Sequence, residues 1–210
     1  MHLFTRTRTI DPAHAGEAHA FAVDMGRYAS VTTGVEVVPW ATVYGGAVGT
    51  VSYTARVESQ AAMAETLATL AADSGYQERI ADRAGHALPG PVEDTIGEFV
   101  SFAGSGGNGG TLASVTTARC APGRISEAMA WAVDSLSHHS KVTGLDGALV
   151  RNLYGPWATL VWIHLADSWD DVDASSATLT ADSTYLERVD DAGPLFLAGS
   201  TAQRLLRRLD

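Results

Sequence analysis

The sequence predicts an α+β protein made of two tandem βαββαβ repeats, and three observations support this prediction. The 210 residues align with themselves when the chain is shifted by 110 positions. Each half alternates segments with strand-like and helix-like hydrophobic spacing. A glycine-rich run between Gly104 and Gly110 separates the halves and has the composition of a flexible linker. We therefore expect one repeat at 1–103, a linker at 104–111 and a second repeat at 112–210.

The self-alignment is clearest in two helical regions. Glu17 to Asp24 fall on Glu127 to Asp134 at the shift of 110. After a gap of one residue the shift becomes 109, and Ala72 to Arg79 fall on Ala181 to Arg188. Matches in the same order over most of both halves indicate an internal duplication.

The first helix and the following hairpin carry local signals in each copy. Asp11 is a good N-cap and Pro12 suits the first helical position, as does Pro122 in the second copy. Two strand-like runs then flank a tight turn that contains glycine. They cover Val35 to Tyr44 and Val48 to Val57 in the first copy, and Leu145 to Tyr154 and Trp157 to Ala166 in the second.

The second helical region is predicted to begin at an N-cap and to break in its middle. Ser168 is followed by acidic residues, which the helix dipole favours in a first turn. Breaks are expected at Asp73–Ser74 and at Asp182–Ser183. Final strands are predicted at Thr95 to Phe102 and at Leu195 to Ser200.

This element order is the ferredoxin-like arrangement, and two such sheets packed face to face would close an α/β barrel with helices outside. In that order, and in the broken helix with the sequence Ala-Asp-Ser-x-Tyr-x-Glu-Arg, the chain resembles the dimeric α/β-barrel superfamily. That superfamily includes antibiotic-biosynthesis monooxygenase-like and stress-responsive barrel proteins. The resemblance implies a tandem-repeat fold that holds small molecules in the barrel, and it transfers no catalytic residue.

Composition argues against several classes of partner. The net charge of −10 and the pI near 5.0 disfavour nucleic acid and anionic membrane surfaces. No signal-like or membrane-spanning apolar run is evident, so we expect a cytoplasmic protein. The single cysteine, Cys120, excludes an internal disulfide and is expected to be a packed residue at a strand end.

Metal and cofactor motifs are not evident, and we expect neither a metal nor a cofactor. The run Gly104 to Gly109 matches a GxGxxG pattern, but a strand-like segment follows it where a nucleotide site needs a helix. None of the seven histidines forms HxxxH or HExxH. His138 and His139 are adjacent and are predicted to lie at a solvated helix end.

The predicted strand from Trp157 to Ala166 indicates a candidate ligand pocket. Alternation places Leu160, Trp162 and His164 on one face. At the shift of 110 they fall on Thr50, Ser52 and Thr54, with Arg56 beyond them. Because this face differs between the copies while the other stays apolar, we assign it to the barrel interior, with one polar and one aromatic wall.

From this pocket we predict a catalytic set and a ligand-binding set. His164 would act as general acid or base, with Asn152 or Arg56 stabilising oxyanion charge. The ligand-binding residues would be Trp162, Leu160, Trp40, Tyr154 and Thr54. Under the structural alternative His164 is a hydrogen-bonded core residue and Arg56 pairs with an acid. Which hairpin face lines the cavity depends on the loop length.

Three functions follow from these residues. The first is a cofactor-independent oxygenase, isomerase or cyclase acting on an aromatic or other apolar small molecule. The second is a non-catalytic binder of an apolar ligand. The third is haem binding through a histidine, which the tandem-barrel haem proteins of the same superfamily suggest. Homo-oligomerisation stays open in all three.

Overall fold

The computed structural model describes residues 1–82, 91–104 and 109–210. Its eight strands are β1 (His2–Thr9), β2 (Val37–Tyr44), β3 (Thr50–Val57), β4 (Glu93–Ala103), β5 (Leu112–Arg119), β6 (Asp146–Tyr154), β7 (Thr159–Ala166) and β8 (Ala202–Arg208). Its α-helices are α1 (Ala15–Thr33), α2 (Gln60–Ala72), α3 (Ser74–Asp82), α4 (Ile125–Thr143), α5 (Trp169–Ala181) and α6 (Ser183–Asp191). Short 3₁₀ helices cover Pro12–His14 and Gly193–Leu195.

The strands form a closed barrel in the order β1-β3-β2-β8-β5-β7-β6-β4. Since this order closes on itself, β4 neighbours β1. The first copy therefore supplies β4-β1-β3-β2, and the second supplies β8-β5-β7-β6 in the equivalent order. This is the strand order of a ferredoxin-like sheet, so the predicted α+β fold of two tandem repeats is confirmed.

The chain divides into two compact units. Unit 1 contains Met1–Ile96 and the last residues, Arg207–Asp210, while unit 2 contains Gly97–Leu206. Both β4 and β8 thus belong partly to one unit and partly to the other. Residues 105–108, in the middle of the predicted linker, lie outside the described residues.

Most of the predicted helix boundaries agree with the structure, but Pro122 lies in a turn and α4 begins only at Ile125. Asp11 accepts a hydrogen bond from the Ala13 amide at the start of the first 3₁₀ turn. Ser168 forms a capping box with Asp171 at the start of α5. Asp73 and Asp182 end α2 and α5, so the predicted break in the second helical region is confirmed in both copies.

The predicted final strand at Leu195 to Ser200 is wrong. The chain there forms the short 3₁₀ helix and a turn in which Gly199 has a φ of 71°, and β8 begins at Ala202. Pro194 limits the backbone and removes an amide donor, which disfavours a strand. The sequence did not indicate β8 as a strand, because its arginines interrupt the alternation of apolar and polar residues.

Helices cover one face of the sheet in each unit. In unit 1, Ala18 and Ala22 of α1 pack on Val51. In unit 2, Ala128 and Ala132 of α4 are completely buried in the corresponding cluster. These small side chains let helix and sheet backbones approach closely. Within the described ranges, no helix is long and apolar enough to cross a membrane.

The two hairpins differ in loop length, and this corrects the predicted face of β7. Five residues, 45–49, join β2 to β3, whereas four residues, 155–158, join β6 to β7. The one-residue gap therefore lies in the hairpin loop, and β3 matches β7 at a shift of 109. A slip of one residue moves every side chain to the opposite face. Leu160, Trp162 and His164 consequently face the helices, and their predicted place in the barrel interior is wrong.

Candidate functional site

Three of the predicted site residues lie between the sheet and α4 of unit 2. Trp162 donates its indole N–H to the carbonyl oxygen of Ala132 at 3.1 Å. Leu160 is 1% exposed in the same core cluster. His164 is 7% exposed and pairs across the hairpin with Gly147. The structure therefore keeps these three together, but in the helix–sheet layer.

Asn152 and Tyr154 lie on the other face of unit 2. Val150 pairs with Val161 in the β6–β7 ladder, and Asn152 shares its face by alternation. Asn152 is half-buried, and Tyr154 is 61% exposed at the end of its strand. Because the sheet separates Asn152 from His164, a single ligand cannot contact both side chains. The predicted catalytic set is not brought together.

Trp40, Thr54 and Arg56 belong to unit 1, on the face turned away from its helices. The Trp40 indole donates a hydrogen bond of 3.0 Å to the Thr54 hydroxyl. Thr42 on the same face has a buried hydroxyl that makes no hydrogen bond within the described chain. Arg56 is exposed near the end of β3. This face is rich in hydroxyl groups, as the sequence predicts for the polar wall.

A pair of stacked histidines is the most unusual feature of the helix–sheet layer in unit 2. The rings of His139 on α4 and His164 on β7 have centroids 3.5 Å apart and planes inclined by 20°. His139 is half-buried, so it is the outer member of the pair and His164 the inner one. The predicted solvated position of His139 is wrong.

Both imidazoles are neutral at neutral pH. Burial, and then the neighbouring His139, lowers the pKa of His164 to about 3. Burial, and then His138, lowers the pKa of His139 to about 4. The Nε2 atom of His164 is buried and makes no hydrogen bond with any described residue. Such a group costs about 1–3 kcal/mol of stability, which makes this histidine a poor choice for a purely structural core.

The equivalent positions in unit 1 contain no histidine. His139 corresponds to Ala29 at the shift of 110, and His164 corresponds to Ala55 at the shift of 109. Gly147 leaves room for the ring, because a Cβ atom there would stand 3.0 Å from His164 Cδ2. The same two positions of the helix–sheet layer therefore carry alanines in one copy and histidines in the other. Comparing the copies at the corrected shift identifies both positions as alanine in one copy and histidine in the other, but it does not show that the two rings stack.

His138 fixes the end of α4 next to the pair. Its Nε2 lies 2.7 Å from Asp182 Oδ2, and Asp182 also accepts amide hydrogen bonds from Thr184 and Tyr185 at the start of α6. The hydrogen bond from His138 is the main cause of a lowered pKa at Asp182. These contacts hold the backbone on which His139 is mounted.

Aromatic rings form the wall of the layer on the side of the helix N-terminus. Trp131 and Trp162 meet edge to face at 6.0 Å, and each also meets Phe196 in that geometry. Edge-to-face contacts of this kind stabilise by about 0.5–1.5 kcal/mol beyond burial. The histidine pair therefore stands in surroundings of low polarity.

Metal-binding geometry is not evident. No group of three or more histidine, cysteine or acidic side chains in residues 1–82, 91–104 and 109–210 could hold an ion. Cys120 is buried at the end of β5, where its backbone forms an isolated antiparallel β-bridge with Phe196. Burial raises the pKa of its thiol. A thiol held in its neutral form is a weak nucleophile and metal ligand.

Comparisons with known proteins give a likeness of fold. No protein-family profile matches the chain, and no curated protein matches it in sequence. A crystal structure from Fusobacterium nucleatum, of a protein provisionally named a monooxygenase, superposes with a TM-score of 0.71 at 12% identity, covering 100% of this chain and 92% of that one. An anthrone oxidase-like protein gives 0.70 at 14% identity, with 100% and 91% covered.

A third structure, from Lactobacillus acidophilus and also provisionally named a monooxygenase, gives a TM-score of 0.67 at 11% identity. It covers 100% of this chain and 94% of that chain. At such identities the likeness extends to the fold alone. It agrees with the predicted fold of two tandem βαββαβ repeats.

Proposed function

We propose that this chain binds an aromatic small molecule and oxidises it with molecular oxygen, without a bound cofactor, beside the histidine pair of unit 2. The observation that carries the proposal is the buried, neutral His164, whose Nε2 has no hydrogen-bond partner among the described residues. Solved proteins of the same fold bear the names monooxygenase and anthrone oxidase-like, which suggests the class of reaction.

The reaction needs a carbon acid that becomes electron-rich when it loses a proton. An aromatic ketone whose ring system also holds a methylene conjugated with the carbonyl is one such compound. After deprotonation its carbanion reacts with oxygen directly. The methylene carbon loses two hydrogens and gains one oxygen atom as a carbonyl, and the second oxygen atom leaves as water. The protein must supply a proton acceptor and a site that excludes bulk water.

His164 supports the role of proton acceptor through its protonation state. Its pKa of about 3 leaves the imidazole in the accepting form throughout the neutral range. A group with so low a pKa is a weak base in the free protein. A carbanion formed next to the ring is an opposite charge, which raises the pKa of the imidazole and holds the transferred proton as an ion pair.

His139 supports entry and orientation of the substrate. It is the outer ring of the pair, and the edge of Tyr185 lies against it with centroids 6.4 Å apart. An aromatic substrate that displaces the His139 ring would occupy the position of that ring and stack on His164. Trp131 and Trp162 then provide the apolar surroundings that favour a flat ring.

Oxygen uptake with anthrone as the probe tests the proposal. We expect the full chain to consume one oxygen molecule per quinone formed, at a rate well above spontaneous oxidation. His164→Gln should abolish the enzymatic rate, and His14→Gln at the surface of unit 1 is the matched control. A rate unchanged in folded His164→Gln would contradict the proposal.

Measurements on the same purified protein distinguish the oxygenase from a non-catalytic binder and from a haem protein. A non-catalytic binder would take up the probe, with quenching of tryptophan fluorescence, and would consume no oxygen. A strong visible absorption band in the Soret region of the purified protein would favour haem. Either result would replace the oxygenase assignment.

A further inference from the structure

Unit 1 has its own polar cluster in the helix–sheet layer, and it differs from the histidine pair. Arg6 pairs with Tyr53, and Arg8 with Val51, in the β1–β3 ladder. Directly opposed residues of an antiparallel pair project to the same face. Val51 packs against α1, so both arginines project into the layer under the helices. The second copy has Thr116 and Ala118 at these two places, which shows that the fold does not require arginine there.

The two arginines have different partners. The Arg6 guanidinium forms two hydrogen bonds to Asp94, of 2.8 and 2.7 Å. The Nε atom of Arg8 is buried and makes no hydrogen bond, and no ion pair of Arg8 is formed with any residue in the described ranges. In a chain with 24 acidic and 14 basic residues, a half-buried arginine whose Nε makes no hydrogen bond is unexpected. A buried donor without an acceptor costs stability, so an occupant that accepts a hydrogen bond from the Arg8 Nε is favoured.

Three carboxylates of the surrounding elements already have partners. Asp24 on α1 lies 3.7 Å from Arg79, and Asp73 accepts the hydrogen bond of Tyr28. Asp94 on β4 is held by Arg6. The unsatisfied positive charge of Arg8 is therefore directed at something other than these carboxylates.

Tyr53 adds a hydrogen-bond donor beside Arg8. Burial raises the pKa of Tyr53 to about 12, and the nearby positive charge of Arg8 opposes that rise. The phenol therefore keeps its proton at all ordinary pH values and can donate it in a hydrogen bond. A guanidinium and a neutral phenol side by side are complementary to a carboxylate.

We propose that unit 1 binds an organic carboxylate in its helix–sheet layer, with Arg8 and Tyr53 as the recognition residues. This site does not depend on the oxygenase activity proposed for unit 2. It gives the protein a second ligand of opposite chemical character, anionic where the unit 2 ligand is apolar.

Calorimetric titration of the full chain with benzoate tests the site, with benzyl alcohol as the uncharged analogue. We expect benzoate to bind and benzyl alcohol to bind at least about tenfold more weakly, since a charge-assisted hydrogen bond differs from a neutral one by that order. Arg8→Gln should weaken benzoate binding by about tenfold or more. Arg151→Gln, at an exposed arginine of unit 2 that pairs with Glu98, is the matched control and should bind as the wild type does.

Further variants keep the test decisive. If Arg8→Gln does not fold, Tyr53→Phe should still weaken benzoate binding several-fold while leaving the helical circular dichroism unchanged. His164→Gln should retain benzoate binding whatever its effect on oxygen uptake, which separates the failure of one site from the failure of the other. Equal affinity of wild type and folded Arg8→Gln, or equal affinity for benzoate and benzyl alcohol, would overturn the proposal.

Discussion

The hydroxyl of Tyr28 donates a hydrogen bond of 2.8 Å to Asp73, the residue at which α2 ends. His138 makes the equivalent contact with Asp182 at 2.7 Å in the second copy. The hydrogen bond from the ring partner is the first cause of a lowered pKa at each carboxylate. Both repeats thus fasten the end of the first helix to the break in the second by one aromatic side chain and one aspartate.

These contacts predict a loss of stability in acid. A carboxylate whose folded pKa is lowered stabilises the fold above the unfolded pKa, about 3.9, and loses that contribution as the pH falls through the folded value. Asp182→Asn should lower the melting temperature at pH 7, and its difference from wild type should shrink as the pH falls below about 3.9. Asparagine still caps a helix, so the effect isolates the charge. A difference that persists undiminished at pH 2 would contradict this assignment.

Replacing His164 by leucine should stabilise the protein. The change removes the unsatisfied Nε2 and keeps a side chain of similar size, so we expect the free energy of unfolding to rise by about 1–3 kcal/mol. Oxygen uptake should be lost in the same variant. Urea denaturation measures the stability. A fall of more than about 1 kcal/mol would mean that the imidazole is satisfied in the native core.

The histidine pair also predicts a slope of stability with pH. The unfolded chain binds protons at histidine with a pKa of about 6.5, whereas the folded values are about 3 for His164 and about 4 for His139. The unfolded state therefore holds more protons between these limits, and stability falls as the pH decreases below about 6.5. For His164 the slope approaches about 1.4 kcal/mol per pH unit. The partly exposed His139 contributes less.

Melting curves between pH 7 and 4.5 check this slope. His164→Leu should show a clearly shallower decline than wild type, and His14→Gln should show none of this change. Parallel curves for wild type and His164→Leu would mean that folding does not lower the pKa of His164.

Trp162→Ala should destabilise unit 2 strongly. The side chain is 6% exposed and contacts Trp131 and Phe196, so its removal leaves a large cavity, at a cost of about 3–5 kcal/mol. Trp162→Phe keeps most of the volume and loses the hydrogen bond to Ala132, which costs about 1 kcal/mol. Chemical denaturation of both variants measures the difference. Equal small losses would indicate that the layer collapses around the deletion.

The polar face of unit 1 predicts a different binding behaviour if the ligand lies there. Trp40→Phe removes the indole donor to Thr54 and leaves an aromatic ring in place. On that alternative, anthrone affinity falls in Trp40→Phe and is unchanged in His164→Gln. If the ligand binds beside the histidine pair, anthrone affinity falls in His164→Gln and is unchanged in Trp40→Phe. Fluorescence titration of both variants with anthrone distinguishes the two faces.

The element order could be predicted from sequence because it depends on local signals that the chain repeats twice. N-caps at Asp11 and Ser168, and breaks at Asp73 and Asp182, each arise from a side chain and the backbone next to it. The site could not be predicted in the same way. The face of His164 depends on where one missing residue falls, and a gap placed after the hairpin fits the letters nearly as well as one placed inside it.

Side-chain partners were equally hidden. His139 and His164 are separated by 25 positions and belong to different elements, so their stacking depends on how α4 crosses β7. The arginines of β1 show the same limit. Alternation alone cannot decide whether a charged residue lies in solvent or under a helix when both neighbouring positions are threonine.

The first repeat is completed by the last residues of the chain. Leu209 is 7% exposed in the cluster formed by Ala18 and Ala22, and its amide donates to the Pro39 carbonyl at 2.9 Å. Residues 39 and 209 are far apart in the sequence, so this part of the core of the first repeat forms only after the chain has been synthesised through Leu209. A contact between residues so distant in the sequence adds to the loop-closure entropy that folding of the first repeat has to overcome.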